Sequence, residues 1–189
     1  RIARLRRAFE SRPARAADRL PEQREAAVAI LVRPRDALEL LLIRRAELHG
    51  DPWSGHIALP GGRRAPDDAD LLATACRETE EEVGVPVHRV GAFIGALDEV
   101  APASLRLPPI LVAPFVLAVP AATTAVPDPR EVQAAFWVPL ETLRDRTAAS
   151  EILIEGVGPS IRFPSITYAD HVIWGLTYRI LQQFLDVSG

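Results

Sequence analysis

Residues 61–85 read GGRRAPDDADLLATACRETEEEVGV, and the fold turns on how this stretch is arranged. The apolar spacing, and the absence of Gly and Pro between Ala69 and Val83, predict one helix of about four turns. Asp67, Asp68 and Asp70 stand at its expected first turn, where carboxylates cap free N–H groups and meet the positive end of the helix dipole. Gly84, followed by Val85 and Pro86, stops it. At roughly 100° per residue, Leu72, Ala75, Cys76, Thr79 and Val83 share an apolar face. Glu78, Glu81 and Glu82 gather on another, with Arg77 beside Glu81, while Glu80 points away.

That acidic face is a poor scaffold. Glu78 and Glu82 are like charges one turn apart, at a cost of about 0.2–0.5 kcal/mol. The helix C-terminus disfavours each anion by about 0.3–1 kcal/mol more. A bound divalent cation reverses both terms, because oxygen-only carboxylate sites suit magnesium or manganese. The competing reading is a solvated acidic face. Two neighbours favour the cation: Gly61-Gly62 lets the backbone approach a ligand, and Arg77 is placed to brace a carboxylate or meet a phosphate.

RETEEEVGV (77–85) is similar to the second half of the Nudix signature, Arg-Glu-aliphatic-x-Glu-Glu-x-Gly-aliphatic. Arg77, Glu78, Glu81, Glu82, Gly84 and Val85 match it position by position. Thr79 takes the aliphatic place, a mild change facing the core. The span from Gly62 to Arg77 is one residue longer than the signature allows, so the family's isolated Glu falls near Asp68, Ala69 and Asp70, none of which the sequence singles out. Upstream, LLIRRA (41–46), Gly55 and LPGG (59–62) resemble the marker of the coenzyme A pyrophosphatase subgroup, with Leu59 where that subgroup carries Phe. HGDPWS (49–54) lacks an Arg that the subgroup has there, while the longer Gly-to-Arg spacing is reproduced. IWGLTYRIL (173–181) resembles the closing helix of such proteins.

The resemblance implies an α/β fold, a Nudix-type α/β/α sandwich with a mixed β-sheet. It implies a pyrophosphohydrolase using Mg2+ or Mn2+, held by Glu78, Glu81, Glu82 and the Gly62 carbonyl, with Arg77 orienting Glu81 or its neighbour. Arg45, Gly61, Gly62 and Arg63 are the expected substrate-binding residues. The general base varies in this superfamily and often lies outside the motif; Glu131, ending a loop before a strand, is the first candidate and Glu99 the second. The expected substrate is a small nucleoside-diphosphate-linked molecule, first coenzyme A or its thioesters, giving 4′-phosphopantetheine and adenosine 3′,5′-bisphosphate. ADP-ribose, dinucleotides or nucleoside triphosphates are the alternative substrates. A third reading is a nucleotide-sensing module without turnover, against which the intact Arg-Glu and Glu-Glu pairs stand. By analogy with its relatives, a homodimer is the expected assembly.

The bulk numbers fit this frame. A chain of 189 residues, 48% apolar, can bury a substantial core and is not disordered. A net charge of −3 gives no nucleic-acid footprint. All 22 basic residues are Arg, with no Lys, Asn or Met, which reads as coding bias and not as function. The one cysteine, Cys76, excludes an internal disulfide, and its place on the apolar face makes it a structural thiol. No apolar run reaches the roughly 18 residues of a membrane span, and no secretory segment is visible, so a cytoplasmic protein is expected.

Along the chain, residues 1–22 form an Arg-rich helical extension with Ile2, Leu5, Ala8 and Phe9 at helical spacing, laid on the domain or on a partner subunit. Residues 23–189 form one domain. Ala26–Val32 and Leu38–Ile43 predict a hairpin or two strands of one mixed sheet. Trp53 reads as a lid contact or an aromatic plug, and His56 as a hydrogen-bonded structural residue. Strands are expected at 90–97, 110–119 and 134–138, a short helix at 139–144, and a hairpin at 151–163. The Pro-rich segment 101–109 is expected to shape a substrate pocket. Ala169–Leu185 predicts a closing amphipathic helix carrying Trp174, Leu176, Ile180, Leu181 and Phe184.

Overall fold

The structure, a computed structural model, describes residues 1–20, 22–50, 53–102, 109–156 and 158–189, with backbone alone at 155, 156, 158 and 159. Most of the Pro-rich segment expected to line a pocket, the centre of HGDPWS and the tip of the 151–163 hairpin lie outside the described residues.

Strand β1 (Arg24–Pro34) is apolar on both faces over most of its length, a pattern that places it inside a covered sheet. One edge runs parallel to β6 (Ile110–Ala118), in register from Arg24↔Ile110 to Val32↔Ala118. The other edge is shared. Its C-terminal end forms the expected hairpin with β2 (Leu38–Arg45), while its N-terminal half pairs with β4 (Gly61–Arg63). β3 (Ile57–Ala58) and β7 (Val132–Pro139) flank β2, and β5 (Ala92–Ala96) lies outside β6, so that among the described residues the mixed sheet has seven strands. A second, antiparallel sheet contains β8 (Ala149–Gly156), β9 (Gly158–Tyr168) and β10 (His171–Trp174).

Helices cover both faces of the large sheet, because alternate residues of its central strands point opposite ways. Ala27, Ala29, Leu31, Leu41 and Ile43 pack beneath α2 (Leu71–Val83) against Ala75, Cys76 and Val83. Ile30, Val32, Leu40 and Leu42 share the opposite core with Leu5 and Phe9 of α1 (Ile2–Glu10) and with Leu181 and Phe184 of α5 (Gly175–Ser188). The architecture is the expected α/β/α sandwich with a mixed sheet. The N-terminal helix lies on its own domain: Phe9 is 6.2 Å from the Phe184 ring and sits where a side chain at Gly95 would be. Two further short α-helices follow among the described residues, α3 (Val87–Val90) after α2 and α4 (Leu140–Arg144) after β7, with a 3-10 turn at Arg146–Ala148. Among the described residues no helix is long and apolar enough to cross a membrane.

The closing helix starts later than its sequence pattern predicts. Residues 171–174 are strand β10, paired from His171↔Tyr168 to Trp174↔Ser165, and Trp174 precedes α5 instead of lying on it. Ala169, at φ 52°, turns the chain back on β9, and the β-branched Val172 and Ile173 then extend readily. The buried Ile173 continues the apolar spacing of α5 by coincidence of register.

Candidate active site

Gly61 sets the geometry, because β4 enters the edge of β1 from which β2 has splayed away. Its φ is +151°, and a Cβ there would overlap the Ala27 carbonyl and lie 2.6 Å from the Val28 Cα, so glycine alone fits. The Gly61 N–H donates to Glu82 Oε2 at 2.8 Å, which ties α2 to the edge of β4. A Cβ on Gly62 would collide with the Glu78 carboxylate. The Gly-Gly pair thus lets the strand touch the sheet on one side and the glutamates on the other.

Helix α2 places those glutamates. Asp70 caps it, accepting the Ala73 N–H at 2.7 Å, and Gly84 ends it at φ 65° in the left-handed region. The expectation that three aspartates share the first turn is corrected: only Asp70 caps the helix, and its first turn holds no acidic residue. Thr79 is fully buried, and its hydroxyl donates to the Ala75 carbonyl at 2.6 Å, so it replaces an aliphatic side chain without an unsatisfied group. Glu80 faces away, pairing with His88 and Arg89. Cys76 is buried, and that burial pushes its thiol pKa up, away from nucleophilic use.

Asp68 is the residue the sequence did not single out. It is buried, and Arg77 grips it with Nε to Oδ1 and Nη2 to Oδ2, both at 2.9 Å. The Ala65 N–H and the buried Thr74 hydroxyl complete its shell at 2.8 and 2.9 Å. The Arg77 guanidinium, first among these partners, holds the Asp68 carboxyl far below the usual carboxylate range despite burial. Arg77 also donates Nη1 to Glu78 Oε1 at 2.9 Å and to Glu81 Oε2 at 3.0 Å, and Nη2 to the Arg63 carbonyl at 3.1 Å. One planar cation therefore fixes three carboxylates. The extra residue between Gly62 and Arg77 hid Asp68, since spacing alone pointed equally at its neighbours.

The other expected site residues converge unevenly. Glu82 is 2% exposed, and burial pushes its carboxyl up to about 8, outweighing the Gly61 N–H and an Arg45 Nη1 lying 3.9 Å from Oε1. Burial raises Glu78 as well. Glu131 is exposed, and its charge adds the smallest contribution to the upward push on both Glu78 and Glu82, so it lies within electrostatic reach of them. Glu99 is already engaged: Arg19 binds its carboxylate at 2.6 and 2.8 Å, the Ala17 N–H adds a third bond, and its pKa falls. The Arg63 side chain is exposed. Among the described residues no three His, Cys, Asp or Glu side chains are already gathered at ligating distances. The donor set nonetheless suits a hard cation: oxygen-only, in part desolvated, and raised by its own mutual repulsion.

Comparison with known proteins follows the same geometry. Residues 22–155 match the NUDIX domain model. The chain is 35% identical over 159 residues to proteins named uncharacterized Nudix hydrolase NudL from Yersinia pestis (strain Pestoides F) and Yersinia pseudotuberculosis (serotype O:1b), covering 84% of this chain and 77% of theirs. A MutT/nudix family protein from Enterococcus faecalis superposes with a TM-score of 0.59 at 15% identity, covering 99% of this chain and 69% of that one. The NUDIX domain of Shewanella oneidensis NrtR, solved with ADP ribose, superposes at 0.52 with 20% identity, covering 66% and 78%. Identities this low speak for the fold alone. The domain match and the Yersinia relatives, by contrast, establish that the chain belongs to the Nudix hydrolase family.

Proposed function

We propose that this Nudix hydrolase cleaves the diphosphate linkage of coenzyme A or a derivative, releasing 4′-phosphopantetheine and adenosine 3′,5′-bisphosphate. The observation that carries the reading is the pair Glu78 and Glu82, both desolvated and pushed toward the neutral form, held against the Gly61-Gly62 edge. Glu78, Glu81, Glu82 and the Gly62 carbonyl would hold Mg2+ or Mn2+. Such an ion supplies charge screening for the diphosphate and acidifies water. The protein's own part is positioning. Asp68 locks Arg77, and Arg77 locks Glu78 and Glu81, so the carboxylates need little reorganisation when a substrate arrives. Glu131, exposed and within electrostatic reach of them, takes the proton of the attacking water. Arg45, Gly61 and Gly62 line the approach to the diphosphate, and Arg63 meets a substrate phosphate from the other side of the β4 edge.

The LLIRRA and LPGG segments support coenzyme A. The Arg missing from HGDPWS favours the second reading, the same chemistry on ADP-ribose, a dinucleotide or a nucleoside triphosphate. A panel of these compounds with Mg2+ or Mn2+ decides between them. Coenzyme A should give the highest kcat/KM, and Glu82→Gln should remove most of it. Wild-type turnover by that variant overturns the ligand assignment.

A further inference from the structure

Beside the carboxylate cluster, where β4 leaves the edge of β1, an open cavity of about 420 Å³ is lined by Arg24, Glu25, Arg63, Arg64 and Pro66, among others. Its charges are unequally matched. Arg64 Nη1 bonds Glu25 Oε2 at 3.0 Å, and Arg19 Nε bonds Glu25 Oε1 at 3.0 Å, so the one acid in the cavity already serves two cations. Those guanidiniums, Arg64 first, hold the Glu25 carboxyl below its usual value. Arg24 and Arg63 also line the cavity, and among the described residues neither guanidinium meets an acceptor.

The strand register brings these two together. Arg63 stands opposite Ala26 in the antiparallel β1–β4 pair, and Arg24 is two residues from Ala26 on the same strand. Both side chains therefore leave the same face as diagonal neighbours, about 7–8 Å apart at their roots, within reach of one shared oxyanion. The site is also continuous with the carboxylates. Gly62 abuts Glu78, and the next residue is Arg63, whose carbonyl accepts from Arg77. Alternation turns the Arg63 side chain to the face away from Glu78, so an anion held there sits around the strand edge, separate from a diphosphate at the glutamates.

We infer that Arg24 and Arg63 form a second anion site, which takes a phosphate group that is not part of the scissile diphosphate. As the extra phosphomonoester of the substrate, this group makes the site a specificity determinant and rests on the function proposed above; as free phosphate, it does not. Calorimetric titration of inorganic phosphate into the metal-free protein at low salt tests the site itself. Arg24→Gln and Arg63→Gln are surface changes, and each should weaken binding by about tenfold, the worth of one charge-assisted hydrogen bond. No binding by the wild type, or equal affinity in the wild type and the double variant, overturns the site. Turnover of coenzyme A against dephospho-coenzyme A then separates the two sources. A lower KM for coenzyme A whose advantage shrinks in Arg24→Gln identifies the substrate's own phosphate. Equal KM values, with phosphate binding still lost in the variants, identify free phosphate as the ligand. Failure to turn over either compound overturns the proposed substrate, and the phosphate titration still judges the cavity.

Discussion

Arg77 and Asp68 meet side by side, Nε on Oδ1 and Nη2 on Oδ2, each at 2.9 Å, and the same guanidinium reaches Glu78 and Glu81. Asp68→Asn keeps the volume but removes the charge and one acceptor. Because Arg77 remains 31% exposed, the expected loss is discounted to about 2 kcal/mol, below the range for a fully buried pair. The kcat should fall with KM little changed, because Arg77 then holds Glu78 and Glu81 less firmly. Denaturant midpoints and steady-state kinetics check both parts. An unchanged kcat would leave Asp68 a purely structural residue.

Glu82 gives the metal-free protein a pH dependence of opposite sign to most salt-bridged carboxylates. Its folded pKa lies above its ordinary value of 4.5, at about 8, so the folded state retains a proton that the unfolded chain has released. Stability should therefore fall as pH rises through that window, on the order of 5 kcal/mol across the whole of it, or roughly 10–20 °C in Tm. Glu82→Gln should flatten that slope. Thermal melts in chelator across the pH range read it directly.

Two glycines at positive φ should respond very differently to alanine. Gly61→Ala meets both a forbidden φ and the backbone of Ala27 and Val28, and should cost more than about 3 kcal/mol or prevent folding. Gly50 has φ +83° and open space within 4 Å of where a Cβ would stand, so its alanine variant should lose only about 1 kcal/mol. Chemical denaturation of the two variants distinguishes a steric requirement from a conformational one.

The general base can be assigned by a paired substitution. Glu131→Gln should lower kcat by roughly 10²–10⁴ and abolish the acid limb of the pH–rate profile. Glu99→Gln, which removes an acceptor from Arg19, should leave kcat unchanged and act on stability alone. The opposite pattern would assign the base to Glu99.

Much of the site is legible in residues 61–85. The period of α2, its stop at Gly84, the outward Glu80 and the Arg77–Glu81 pair follow from spacing within one helix, where local geometry decides. Asp68 is not legible, because it precedes the helix, nine residues before its partner Arg77, and the irregular length of the loop from Gly62 leaves its register open. The start of α5 departs from its sequence pattern because Ile173 lies buried in a strand whose spacing mimics the helix that follows. The engagement of Glu99 is also hidden, since only the folded N-terminal arm brings Arg19 onto it.

The carboxylates of α2 as a cation site can be tested without any substrate. Titrating Mn2+ or Mg2+ into the folded protein by calorimetry should show saturable binding that Glu82→Gln weakens by at least about tenfold while raising metal-free Tm. Absence of binding by the wild type, or identical isotherms for the two proteins, would contradict it.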